Sequence, residues 1–324
     1  MKIPGFAAAA FLVLVAVQAA AADTPRLPPV TLVVPYAPGG PTDVIGRALA
    51  TELATTLGRK VVVRNVGGAG STIGAEQVSR AKPDGRTLLL ANIGLATGVS
   101  LYPKLRYDPV ADFQPIGLVA EVPMTLVARP DLPVDDLSAV LARAREGADQ
   151  LSIGHAGIGS ASHLCALMLM RATGRAFTSV PYQGTAPALR DVSAGHVDLL
   201  CDQTSHTLPH VRTRDVKVLG VSSARRLEAL PQVPTLAEAG LSGFELTIWH
   251  GLFAPKGTPA ETVGELGTAL QAALESPRLK TVLNRVEARP AGPAQARPEA
   301  LGTRLAAEIE RWRPVIEKAG SYAR

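Results

Sequence analysis

VTLVVPYAPGGPTDVIGRAL, residues 30–49, runs from an apolar strand through a Pro/Gly loop into an amphipathic helix. Residues 31–34 are β-branched or apolar throughout, the habit of a strand buried on both faces of a parallel sheet. Pro35, Pro38, Gly39, Gly40 and Pro41 then interrupt regular structure. Beyond them Val44, Ile45, Ala48, Leu49, Leu53 and Leu57 recur at helical spacing, with Pro41 placed for a first turn and Gly58 for the stop. Such an order leaves backbone N–H groups bare beside the positive end of a helix dipole, a seat for a carboxylate or phosphate. The same stretch also meets the requirements of an ordinary tight βα turn.

Working outward, residues 60–64 predict a second strand, 74–81 a short helix and 87–92 a third buried strand. Gly68 and Gly70 offer two glycines of a dinucleotide fingerprint, but the third position is Ile73, which rejects a Rossmann cofactor site. After a loop over 103–115 and an apolar run over 116–120, the alternation begins again. Strands are expected over 124–128 and 151–155, with an amphipathic helix over 134–146 between them. Residues 156–163, AGIGSASH, repeat the opening device of glycines before an apolar helix, 164–172, which Gly174 ends. Further strands are expected over 177–182, 196–201 and 217–222, with a helix over 187–194 and a short one within 231–240. An extended run, 244–254, returns to the first unit, and the remainder is helical over 259–274, 277–284 and 298–318, with a short strand near 286–289. The expectation is an α/β fold of two domains, each a parallel-rich sheet flanked by helices with right-handed crossovers and a cleft between them. Domain 1 takes 23–122 plus 249–324, domain 2 takes 123–248, and the crossings lie near Val122 and Ile248.

The first residues have a separate meaning. Met1 and Lys2 precede an apolar run over 6–17, and Ala20, Ala21 and Ala22 come before the first acid, Asp23. This pattern predicts a signal peptide, 1–22, cut after Ala22 and too short to span a bilayer, and hence a soluble periplasmic protein. Cleavage leaves 32 bases against 28 acids, a net charge of +4 that weakly favours small anions. No basic run with interleaved aromatics speaks for nucleic acid. Cys165 and Cys201 are the only cysteines, open to a disulfide or to two buried thiols. No C-x-x-C or H-E-x-x-H spacing argues for a metal, and no cofactor is expected.

Eight motifs then stand in order: P-Y-x-x-G-G-x-x-D (35–43), K-P-D-G-x-T-L-L (82–89), D-P-x-x-D-F-x-P-I (108–116) and G-x-G-S-x-S-H-L (157–164), followed by V-P-Y-x-G-x-x-P-A (180–188), G-x-V-D (195–198), L-P-x-V-P-T-x-A-E-A-G (230–240) and W-x-G-L-x-A-P-x-G-T-P (249–259). Together they resemble the Bug-type, TctC-like extracytoplasmic solute receptors of tripartite tricarboxylate transporters, over nearly the whole mature chain. The resemblance implies a two-domain periplasmic binding protein, a Venus flytrap, that closes on one small organic carboxylate and hands it to membrane transporter subunits. It implies that Tyr36, Ala37, Gly39, Gly40 and Asp43 hold the ligand from one side and Ser160, Ser162 and His163 from the other. Thr185 and Asp202 are implied to tune the rest of the ligand. Arg64, Asn65 and Val66 depart from the family pattern of acid, Asn and base, so no ligand role passes to Arg64 or Val66.

Each of these residues has a plainer reading beside the functional one. Ser160 and Ser162 suit a helix cap, His163 a packed or capping histidine, Asp202 a solvated strand end and Tyr36 wall packing. A hydrolase on Ser160 or Ser162 with His163 lacks the glycines of a nucleophile elbow and a third orienting group, so no enzymatic activity is expected. A receptor that shows its closed form to a sensor protein is the other alternative. The solute itself is not legible, and a monomer is the default for a receptor that closes.

Overall fold

The structure is a computed structural model and describes residues 27–134, 136–146 and 151–319, so the expected signal peptide lies outside the described residues. The first part of the chain forms β1 (Val30–Val34), α1 (Pro41–Thr56), β2 (Val61–Asn65), α2 (Thr72–Ser79), β3 (Thr87–Asn92) and α3 (Gly94–Leu101). The long strand β4 (Phe113–Ala128) leads to α4 (Leu137–Glu146), β5 (Ser152–His155), α5 (Ala161–Thr173), β6 (Thr178–Pro181) and α6 (Thr185–Ser193). Then come β7 (Leu199–Gln203), α7 (Thr204–Thr213), β8 (Lys217–Val221), β9 (Thr247–Pro255), α8 (Ala260–Glu275), α9 (Pro277–Asn284), β10 (Arg289–Pro290) and α10 (Pro298–Ala319).

The strand order is β2-β1-β3-β9-β4-β7-β5-β6, with β8 and β10 also pairing with β4. Only the outer parts are parallel: β1 pairs parallel with β2 and β3, and β5 with β6 and β7. The sheet expected to be parallel-rich is antiparallel at its centre, where β4 meets β9, β7, β8 and β10. The reason is topological. β4 carries the chain out of the first sheet and β9 carries it back, so the two run in opposite directions side by side. At about 3.3 Å per residue, the 16 residues of β4 reach roughly 50 Å, enough to serve both sheets. Its ladder with β9 ends at Pro123, and its pairing with β7 starts at Met124.

Two large packed cores lie on this frame, with a smaller one of Val127, Leu189, Val192, Leu200 and Val216 beside the second. Leu32, Ile45, Leu89, Trp249, Phe253 and Leu270 belong to one, and Leu126, Ile153, Leu164, Cys165, Cys201 and Ile248 to the other. Helix α10 joins them: Leu301 and Leu305 pack in the first, whereas Trp312 and Ile316 pack in the second. Cys165 on α5 and Cys201 on β7 form a disulfide with Cα atoms 6.1 Å apart, which resolves the open choice in favour of a bridge.

Several local expectations fail for identifiable reasons. Helix α3, GLATGVSL, carries two glycines and no charged face, and α7 has Pro209 inside it, so neither announces itself as a helix. The helix expected within 231–240 is a series of turns. There Leu236 donates its N–H to the Val221 carbonyl, which ties the segment to β8, and the local bonds that follow, such as Ala239 N to Thr235 O, close turns only.

Candidate functional site

The loop from β1 to α1 is held open by a carboxylate at its back. Asp43, 2% exposed, accepts hydrogen bonds from Gly39 N at 2.8 Å, Arg47 Nε at 2.8 Å and Asn65 Nδ2 at 2.9 Å. Burial pushes its carboxyl up, but these hydrogen bonds outweigh it and hold the group below the ordinary carboxylate value. Asn65 also donates to the Tyr36 carbonyl, at 3.2 Å. Gly39 sits at φ 82°, a conformation that favours glycine, and Gly40 caps α1 without a side chain. Pro41 opens the helix at a position whose N–H would be unpaired in any case. Behind the loop Tyr36 Oη donates to Asn92 Oδ1 (2.9 Å), Asn92 Nδ2 to Thr42 Oγ1 (3.1 Å), and Thr42 Oγ1 meets His250 Nε2 (3.3 Å). Burial pushes the His250 imidazole down to about 3 and drives the Tyr36 phenol upward.

The loop from β5 to α5 is built from different parts. Ser160 caps α5 by accepting from His163 N at 3.3 Å, and its hydroxyl lies 3.1 Å from that of Ser162. Ser162 Oγ in turn accepts from Ala156 N at 2.8 Å. Two histidines brace the glycines: Gly157 N donates to His155 Nδ1 (3.1 Å) and Gly159 N to His163 Nδ1 (3.2 Å). The imidazole rings are 4.8 Å apart, and His155 Nε2 lies 2.8 Å from Ser179 Oγ. Burial, then the neighbouring His155, pushes His163 down to about 3; burial likewise lowers His155. Both rings are therefore neutral acceptors near neutral pH.

These loops face one another across a narrow cleft. Tyr36, Gly40, Pro41, Thr42 and Asn92 line it from one side, and Ala156, Ser160, Ala161, Ser162, Thr185, Asp202 and Gln203 from the other. Between these residues only ≈ 20 Å³ can hold the centre of a water molecule. The two sides touch directly. Ala37 N donates to Gln183 O at 3.2 Å, Thr97 Oγ1 to Gly159 O at 2.6 Å and Tyr102 Oη to Ile158 O at 2.8 Å. Gly70, at φ 59°, comes so near Ile158 that a Cβ there would collide with the Ile158 carbonyl oxygen.

Of the residues singled out in the sequence, Tyr36, Gly40, Ser160, Ser162, Thr185 and Asp202 converge on the cavity. Ala37 lines a wider groove at the surface, with Pro38, Tyr102, Ile158, Tyr182 and Arg190. Gly39, exposed on its loop, and the buried Asp43 and His163 are not among the lining residues. Asp202 is tied at both oxygens, accepting from Gln203 N (2.8 Å) and lying 2.6 Å from His206 Nδ1. The disulfide joins α5, which carries Ser162 and is capped by Ser160, to β7, which carries Asp202 and Gln203. Thr42, Asn92 and Gln203 were not singled out. Thr42 lies inside the first motif and Gln203 directly follows Asp202, so adjacency was the available signal for both; nothing in the sequence marks Asn92.

The description "Tripartite tricarboxylate transporter family receptor", TctC, matches residues 45–321. Protein BugT of Bordetella pertussis is 35% identical over 302 residues, covering 93% of this chain and 92% of BugT. Among solved structures, the periplasmic binding protein BugD is 45% identical with a TM-score of 0.88, covering 90% of this chain and 97% of its own. MatC of Rhodopseudomonas palustris, solved with bound malate, is 41% identical with a TM-score of 0.85, over 88% of this chain and 98% of that one. Rpa4515 of R. palustris, solved with adipate, is 35% identical with a TM-score of 0.85, over 90% and 97%. The chain belongs to the tripartite tricarboxylate transporter receptor family, and its fold is that of a two-domain periplasmic binding protein.

Proposed function

We propose that this chain is an exported, periplasmic receptor that captures a small organic carboxylate by hinge closure and delivers it to the membrane subunits of a tripartite tricarboxylate transporter. The observation that carries this reading is the cavity itself. Two strand–glycine–helix loops face each other there, one presenting Gly40 and the start of α1, the other the Ser160 and Ser162 hydroxyls. Backbone N–H and hydroxyl donors suit an anion, and excluding water on closure strengthens each charge-assisted hydrogen bond. Two R. palustris relatives, solved with malate and with adipate, bind small carboxylates of this kind. Ser160, Ser162, Tyr36, Gly40, Thr185 and Asp202 touch the solute; Ala37, Gly39, Asp43 and His163 shape the loops around it. The residues act by binding, with no catalytic step.

The division into 23–122 plus 249–324 and 123–248, with a signal peptide before it, places the hinge where β4 changes partners at Pro123 and Met124 and where β9 begins at Thr247. Ligand then favours the closed population because only that state brings both loops to the anion.

The test is thermal. Purified protein is unfolded with its disulfide intact, refolded to strip any bound solute, and melted against small mono-, di- and tricarboxylic acids and their neutral amides. A ligand at a hundredfold excess over Kd stabilises the folded state by about 2.7 kcal/mol. We expect an upward shift with at least one acid and none with its amide. No shift with any acid, from protein whose refolding is verified, contradicts the assignment.

A further inference from the structure

Among the residues that line the cavity, two carry buried polar atoms without a partner. Gln203 Oε1 and Thr185 Oγ1 are both buried, both residues line the cavity, and neither atom has a hydrogen bond. Gln203 is 2% exposed and Thr185 is 4% exposed, so neither reaches bulk water. Thr185 faces the first loop: a Cβ placed on Gly40 would lie 3.7 Å from its Oγ1. A buried acceptor without a partner costs free energy that a ligand donor recovers. An amide oxygen accepts and never donates, so it repels a solute carboxylate and attracts an O–H or N–H. The neighbouring Asp202 carboxylate is already engaged by Gln203 N and His206, which leaves Gln203 Oε1 and Thr185 Oγ1 as the unpaired atoms on this part of the lining.

We infer that Gln203 and Thr185 form a subsite that accepts a hydrogen bond from a hydroxyl or ammonium on the carbon chain of the solute, so that the receptor selects hydroxy- or amino-carboxylates over unsubstituted acids of the same length. The inference rests on the carboxylate reading above and adds to it the substituent that the cavity reads. A site built to hydrogen-bond a group rejects the analogue that lacks it, because the protein's own polar atoms are then left unpaired. The discrimination expected is roughly tenfold or more in Kd.

Calorimetric titration of the refolded, disulfide-intact protein tests this with matched acids: succinate, malate and aspartate, then glutarate, 2-hydroxyglutarate and glutamate, then adipate with its 2-hydroxy and 2-amino derivatives. The wild-type protein should bind a substituted acid at least about tenfold more tightly than its plain parent, and the hydroxy and amino arms tell which donor is read. Gln203→Met keeps the length and removes the acceptor, so the preference should fall toward unity through weaker binding of the substituted acid. Thr185→Val should reduce the same ratio by a smaller factor. Equal binding of plain and substituted acids by the wild type overturns the inference while leaving the carboxylate receptor intact; it is the result expected if a water molecule satisfies these atoms for every ligand. Equal weakening of all acids by Gln203→Met also overturns it, by showing a structural role. Failure of every acid to bind overturns the carboxylate reading and this inference with it.

Discussion

The two loops that close the cavity share a plan, strand to glycines to helix, but are held by opposite chemistry. The first is organised around an ionised carboxylate, Asp43, which collects Gly39 N, Arg47 and Asn65. The second is organised around two neutral imidazoles, His155 and His163, which take the Gly157 and Gly159 N–H groups, with a disulfide behind them. One architecture thus arises from two kinds of acceptor, since in each loop glycine N–H groups find a side-chain partner. The acceptors differ in what undoes them, and that difference can be measured.

Cutting the disulfide has the largest expected effect. The bridge closes a 36-residue separation, for which the chain-entropy relation gives about 4 kcal/mol. In Cys165→Ser/Cys201→Ser, denaturant unfolding should lose stability of that order, and hydrogen exchange should rise around 156–163 before it rises around 37–43. Equal loosening of both loops would break the contrast.

Gly70→Ala comes next and strikes where the two sides meet. The added methyl collides with Ile158 O on closure and is strained at φ 59°. Affinity for the solute should fall by about a hundredfold or more, roughly 2.7 kcal/mol of closure free energy, with a much smaller change in melting temperature of the unliganded protein. Unchanged affinity would mean that the touching arrangement is not the binding state.

Acid separates the two acceptors. His163, pushed down to about 3, and His155, also lowered, bind protons in the unfolded chain before the folded one. Their contribution is present above about pH 6.5 and is lost as pH falls from there, with a slope of up to about 1.4 kcal/mol per pH unit for each histidine. His250, lowered to about 3, adds to the same slope from beneath the first loop. Asp43 is lowered as well, but for a carboxylate this means its contribution persists until pH falls below the ordinary carboxylate value. Between pH 6.5 and 5, chemical denaturation should therefore show a falling stability whose slope shrinks in His163→Asn. Asp43→Asn should lower the stability throughout this range and leave the slope as it was.

Ser160→Ala has the smallest expected effect on folding, about 1 kcal/mol for the lost cap of α5. Its effect on solute affinity should exceed that, because the same hydroxyl faces the cavity. A variant that lost stability without losing affinity would reduce Ser160 to a cap.

Much of this was legible in the chain because it is local. The β1–α1 loop follows from a β-branched run, two glycines and Pro41, and Ser160 reads as a cap from its place before an apolar helix. Cap and cavity liner, set against each other in the sequence, are both true of Ser160 in the structure. What stayed hidden depends on distance in space. Tyr36 and Thr42 of the first loop, Asn92 of β3 and His250 of β9 form one network from three separate segments, and Gln203 joins the lining only because β7 brings it opposite Gly40 and Tyr36. The disulfide was open for the same reason: parity suggests a pair, but only the packing of α5 on β7 brings the sulfurs together. The antiparallel centre of the sheet was missed because Pro115 and Pro123 break the sequence signal of what is one continuous strand, β4.

The most direct measurement is a crystal structure of the refolded protein with the acid that raises its melting temperature most. The account predicts one carboxylate of that acid between the two loops, about 2.7–3.1 Å from the Ser160 or Ser162 hydroxyl and from a backbone N–H at the start of α1. A carboxylate bound instead in the outer groove beside Tyr102, Tyr182 and Arg190, or one that touches only a single loop in the closed protein, would contradict it.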